Sequence, residues 1–165
     1  MATLKQDNLS YAVLAVLISS SAAVIALGLP IENFLSEYYI SRTFSWYFAW
    51  RVAVIELLLW FIGIIINTFE ENFSKPLLLF TAVIFATAHY YKLLIISSYN
   101  NPSLGVSCRV SVFPFLYMLT CDFSRGFSAT TYYLDMGQII LLVTFLILVP
   151  PKKLKAILKT FFQAL

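Results

Sequence analysis

The sequence predicts an all-α integral membrane protein with four transmembrane helices, a long exoplasmic loop between the third and fourth, and a C-terminal amphipathic helix in the membrane interface. Three observations carry this expectation. Apolar residues make up 61% of the 165-residue chain and charged residues only 12%, against about 45–50% and about 25% in an ordinary soluble domain. The mean hydropathy is +0.85, and the apolar residues gather in stretches of about 20 with few or no charges, the length that a hydrocarbon core of about 30 Å requires. Five Gly, six Pro and two Cys are too few for collagen-like, linker-rich or disulfide-scaffold classes, and the length suits one membrane domain, residues 1–165.

The first span, residues 9–29, lies in a stretch without charge between Asp7 and Glu32. Its end offers Val24-Ile25-Ala26 as a small-residue cleavage site, but an uncleaved helix is the expectation. The second, residues 46–67, holds Arg51 and Glu56 ahead of the run LLLWFIGIIINTF, and Trp46, Tyr47 and Trp50 suit an interfacial belt. The third, residues 76–98, opens with Pro76 at a favoured first helical position behind Ser74 and carries His89 and Lys92. The fourth, residues 130–149, contains Asp135 and Gln138 and stops at Pro150-Pro151. Between the last two, residues 106–123 are ambiguous. Only Val110 to Leu119 lacks strongly polar side chains apart from Ser111, which is too short to span and favours a re-entrant or interfacial segment over a fifth crossing. The segment nevertheless begins by alternating, with Val106, Cys108, Val110 and Val112 on one side and Ser107, Arg109 and Ser111 on the other, a period suited to a strand.

With four crossings, Lys5, Lys75, Lys152, Lys153, Lys155 and Lys159 share one side and Arg42, Arg109 and Arg125 the other, so both termini are expected in the cytoplasm of a multi-pass endomembrane or plasma-membrane protein. The sequons at Asn8 and Asn72 then face the cytoplasm and are expected to be unused. Cys108 and Cys121 fall in the exoplasmic loop, where a disulfide is chemically permitted; the alternative is two free thiols.

An antiparallel hairpin of the second and third spans, turning near residues 71–72, sets Arg51 level with Lys92 and Glu56 close in depth to His89. Asp135 and Gln138 enter the same half from the fourth span. Arg51, Glu56, His89, Lys92, Asp135 and Gln138 are therefore expected to form an intramembrane polar cluster, of the kind that marks a pathway, relay or ligand site. The competing reading is structural: Arg51 and Lys92 snorkel, and a Glu56–Lys92 pair fixes helix register. In the tail, Leu154, Ile157, Leu158, Phe161, Phe162 and Leu165 line one helical face while Lys152, Lys153, Lys155 and Lys159 avoid it. This helix, residues 152–165, is expected at the lipid interface, with its lysines on anionic cytoplasmic lipid and Phe161 and Phe162 inserted.

Catalytic motifs are missing, and His89, the single histidine, has no partner at metal-ligand spacing, so no cofactor, metal or catalytic residue is expected. The net charge of +3 is mostly the tail cluster and does not point to nucleic acid. The expected function is a small accessory, assembly or scaffold subunit that packs against other membrane proteins. The runner-up is a small-molecule or ion transport component using the polar cluster, and the third a lipid-modifying enzyme with Glu56 and His89 as acid and base.

Overall fold

The computed structural model describes residues 2–29, 46–101, 103, 105–124 and 126–150, with backbone alone for residues 2–8. The element order is α1 (Ala2–Gly28), α2 (Tyr47–Asn67), α3 (Glu71–Ser97), β1 (Asn100–Asn101), β2 (Val106–Phe113), β3 (Leu116–Phe123), β4 (Phe127–Leu134) and α4 (Met136–Leu148). The all-α expectation is therefore wrong: a four-stranded antiparallel sheet, ordered β1-β2-β3-β4, replaces the long loop and the start of the fourth span.

Three helices are long and apolar enough to cross a membrane: Leu9–Gly28 within α1, Tyr47–Asn67 and Glu71–Ser97. The expected fourth is not among them. Residues 130–134 belong to β4, leaving α4 with 13 residues, about 20 Å of helix against the ~30 Å of a hydrocarbon core. Residues 106–123 are neither a re-entrant segment nor a crossing but the β2–β3 hairpin. The third helix starts at Glu71, a turn before Pro76, because Glu71 pairs with Lys75 one turn on and Ser74 donates to Asn67 Oδ1 across the α2–α3 turn. The interfacial helix expected at residues 152–165, with Lys152, Lys153, Lys155, Lys159, Phe161 and Phe162, lies outside the described residues.

Helix packing rests on small residues. Along α1, Ala15, Ser19 and Ala26 fall on one helical face and all three are fully buried, while Leu9, Leu17, Val24 and Ile25 point outward. In α2, Gly63 packs directly on α3: a Cβ there would lie 3.0 Å from the Leu78 side chain. Counting from this contact down the antiparallel pair sets Glu56 level with Phe85 and Arg51 level with Tyr90, a shift of about two residues from the expected register because the turn closes before residue 71. The core joins Ala53 and Trp60 of α2, Leu78, Ala82, Phe85 and Ala88 of α3, and Ile140 of α4. Trp60 donates its indole N–H to Thr144 Oγ1 at 2.8 Å, satisfying both groups and tying α2 to α4.

The strands follow from β-formers in alternation and from turn residues between them. Cys108 pairs with Cys121 across β2–β3, and Cys121 in turn with Ala129 on β4. Gly105 and Gly126 adopt positive φ in the connections. The β2–β3 turn is Pro114-Phe115, with Phe115 at φ 62°; proline followed by positive φ is the pattern of a type II turn, in which glycine or asparagine usually takes the second place.

Candidate functional site at the sheet–helix junction

The polar residues anticipated as one cluster do not gather into one. Asp135, Gln138 and His89 come together where β4 ends, α4 begins and α3 passes. Arg51 lies apart, donating from Nη1 to the Leu27 carbonyl at 3.0 Å near the C-terminal end of α1, with its guanidinium 4.4 Å above the Tyr47 ring. An arginine at that end is favourably placed against the α1 macrodipole. Glu56 is 0% exposed and both carboxylate oxygens lack a hydrogen-bond partner among the described residues. The anticipated Glu56–Lys92 pair is not formed, since Lys92 lies two turns along α3 from the level of Glu56 and is itself only half-buried.

The junction is built around Asp135. Its backbone ends β4, and its carboxylate caps α4 by accepting from the Gln138 backbone N–H at 3.1 Å. The same carboxylate, 0% exposed, accepts from Gln138 Nε2 at 3.0 Å and from the Tyr90 hydroxyl at 3.1 and 3.2 Å. His89 Nε2 stands 3.4 Å from Asp135 Oδ1 without hydrogen-bond geometry, a close polar approach rather than a directed bond. Asp135 is thus a helix cap with further donors converging on it, which explains how a carboxylate stands fully buried.

Gln138 then reaches the hairpin tip. Its Nε2 donates to the Phe113 carbonyl at 3.0 Å, and its Oε1 accepts from the Phe115 N–H at 2.9 Å. The Asp135 N–H donates to the Phe115 carbonyl at 2.9 Å. These three bonds hold Phe115 in a left-handed conformation that costs a non-glycine residue about 1–2 kcal/mol. Gly137 makes the approach possible, because a Cβ there would lie 3.1 Å from each of Asp135 Oδ1, His89 Cδ2 and Tyr90 Cε2.

Aromatic rings close the junction. His89 stacks on Phe85 and meets Tyr90 and Tyr117 edge-on, and Tyr117 stacks on Tyr133 at 5.1 Å between centroids. Burial, then Tyr133 and then Asp135, push the Tyr117 phenol above its ordinary range. Tyr90, Tyr117 and Gly137 were not singled out from the sequence. The available signal was the run Asp135-Met136-Gly137-Gln138, a helix cap beside a glycine.

A disulfide joins Cys108 and Cys121, directly opposite one another on β2 and β3. It faces the helices, where Cys108 and Leu119 border a cavity of about 290 Å³ with Trp46, Ile96 and Tyr99. The opposite face carries the Arg109–Asp122 ion pair at 2.9 Å and the Thr120–Thr130 hydroxyl pair at 3.3 Å. At the outer edge of the sheet, all eight residues of β4 are exposed, with Phe127 at 64%, Tyr132 at 65% and Leu134 at 61%. No group of three or more His, Cys, Asp or Glu side chains among the described residues is arranged to hold a metal ion. No protein-family model, curated protein or solved structure matches the chain.

Proposed function

We propose that this chain is a multi-pass membrane protein whose task is assembly: it presents a braced sheet beside its membrane helices, and the outer strand receives another membrane protein. The observation that carries this reading is β4, last in the sheet order and exposed along its whole length, with neither charge nor proline in FSATTYYL. An edge strand leaves a row of backbone donors and acceptors unpaired, and proteins that keep such an edge idle usually blunt it with lysine, proline or a bulge. Addition of a partner's strand satisfies those groups and reads alternate side chains.

Bracing supports the same reading. Cys108–Cys121 fixes β2 to β3, and the Asp135–Gln138 junction fixes the hairpin to α3 and α4, so β4 is offered by a rigid frame and binding orders little backbone. A disulfide of this kind persists in oxidising compartments, which supports a reading in which the sheet lies outside the cytoplasm and the α2–α3 turn and N-terminus on the cytoplasmic side. The apolar outward residues of α1 to α3 face lipid.

Purification in mild detergent tests the proposal. The wild-type chain should carry a stoichiometric partner, and Ser128→Lys or Tyr132→Lys, both on the outward face, should release it while leaving thermal unfolding unchanged. A wild-type chain that is solitary and monodisperse at its native expression level excludes the assembly role.

A further inference from the structure

Among the described residues, Glu56 is a buried carboxylate whose two oxygens both lack a hydrogen-bond partner. It sits midway along α2, with Ala53 and Trp60 of the core one turn to either side, and level with Phe85 of α3. The residue is 0% exposed, and neither carboxylate oxygen accepts a hydrogen bond from the described residues. Each packed element has been supplied with alternatives that go elsewhere. On α3, Thr81 turns its hydroxyl onto the Leu77 carbonyl, His89 faces Asp135 one turn beyond Phe85, and Lys92 lies about a further turn along. On α4, Met136–Leu148 contains no ionisable side chain, and the Asp135 cap is occupied by Tyr90 and Gln138. On α1, Tyr11 is the only ionisable side chain between Leu9 and Gly28, and its ring packs on Phe73 near the opposite end of the bundle.

An ionised carboxylate with no donor and no counter-charge is among the costliest groups to enclose in an apolar core, whereas the neutral acid is far cheaper. Replacing Glu56 by leucine or methionine would have filled the same space without that burden, and a carboxyl at this position is of use to the chain only through its proton. We propose that Glu56 is a proton-binding site: it holds a proton in the packed bundle, and release of that proton is coupled to loosening of α2 against α3 and α4. The ligand is a proton, the bond is the O–H of the carboxylic acid, and release delivers the proton to water admitted when the helices part. Neighbouring Phe85, Trp60 and Ala82 exclude that water in the closed form. This inference is independent of β4 and survives the failure of the assembly proposal.

Infrared spectra of the full chain in lipid vesicles at neutral pH test it. The wild type should show a protonated carboxyl C=O band that disappears in Glu56→Gln, a neutral replacement of the same shape. Loss of carboxylate bands instead would mean that Glu56 is ionised and overturns the proposal. Coupling is read from amide exchange in α2 and α3: on passing from mildly acid to mildly alkaline pH, the wild type should lose protection beyond the intrinsic rise in exchange rate, and Glu56→Gln should not. An identical pH response in both refutes the coupling. Where Glu56→Gln does not assemble, Glu56→Met provides the same subtraction, and failure of both neutral variants to fold contradicts a site that is neutral at rest.

Discussion

Asp135 is the residue on which sheet and helices depend together, and its removal has a calculable effect. In Asp135→Ala, α4 loses its N-cap, worth about 1 kcal/mol. The Tyr90 hydroxyl, half-buried and bonded to this carboxylate, loses its acceptor, a penalty toward the lower part of about 1–3 kcal/mol. Gln138 Nε2 keeps Phe113 as an acceptor and adds only the lower end of that range. The sum is about 3–4 kcal/mol, and at roughly 2–4 °C per kcal/mol for a chain of this size the midpoint should fall by roughly 10 °C. Asp135→Asn keeps the cap and one carbonyl but turns an amide NH₂ toward other donors, so about 1–2 kcal/mol is expected. Thermal unfolding in detergent, followed by tryptophan fluorescence from the three Trp residues, gives the order wild type, Asn, Ala. A double-mutant cycle with Tyr90→Phe isolates the contact and should return a coupling above about 0.5 kcal/mol. Strict additivity, or an Ala variant within about 1 kcal/mol of wild type, would refute the junction as the brace.

Further perturbations follow from the same geometry. Gly105→Ala places a Cβ 2.3 Å from the Ser124 Cβ at φ +60°, whereas Gly126→Ala at φ +73° meets nothing within 4 Å; chemical unfolding should show the first well above, and the second near, the ~1–2 kcal/mol of a left-handed alanine. Opening the disulfide by Cys108→Ala with Cys121→Ala removes a cross-link at a separation of 13 residues, and should lower stability by about 3 kcal/mol, with equal stability under reducing and oxidising conditions thereafter. Thr144→Val strands the Trp60 indole N–H and should cost about 1–3 kcal/mol, while adding Trp60→Phe should cost less than the sum of the two single changes; an additive double variant contradicts the bond.

Helices α1 and α2 are legible to within a few residues at the ends of their apolar stretches, because about 20 mostly apolar residues with at most two charges are imitated by little else at that length. The strands were harder to read. Val106 to Val112 alternate as a half-buried strand should, and that signal was present, but β3, LYMLTCDF, reads as a short apolar run that fits several structures. At β4 the error had a specific cause. Thr130, Thr131, Tyr132 and Tyr133 are uncharged and run directly into the apolar α4, so hydropathy fused a strand and a helix into one span. Their β-branched and aromatic character favours the strand, and Asp135 marks the boundary as a helix cap, although by hydropathy alone it reads as a charge inside a helix. The candidate site is half legible for the same reason: the sequence shows which polar residues interrupt the apolar runs, but depth along a presumed fourth span does not reveal which carboxyl finds donors. Asp135 finds several and, among the described residues, Glu56 none, a difference set by Asp135 standing at the N-terminus of α4 beside Tyr90 and Gln138.

Photo-crosslinking in the intact membrane tests most directly whether β4 is the edge on which this protein assembles. A photoreactive side chain placed at Ser128, Thr130 or Tyr132 along the outward face of β4 should capture one discrete protein partner, while the same group at Val83 or Leu94, equally open but on the lipid-facing side of α3, should capture lipid alone. Equal yields of the same adduct from both sets of positions, or lipid adducts alone from β4, would contradict the assignment.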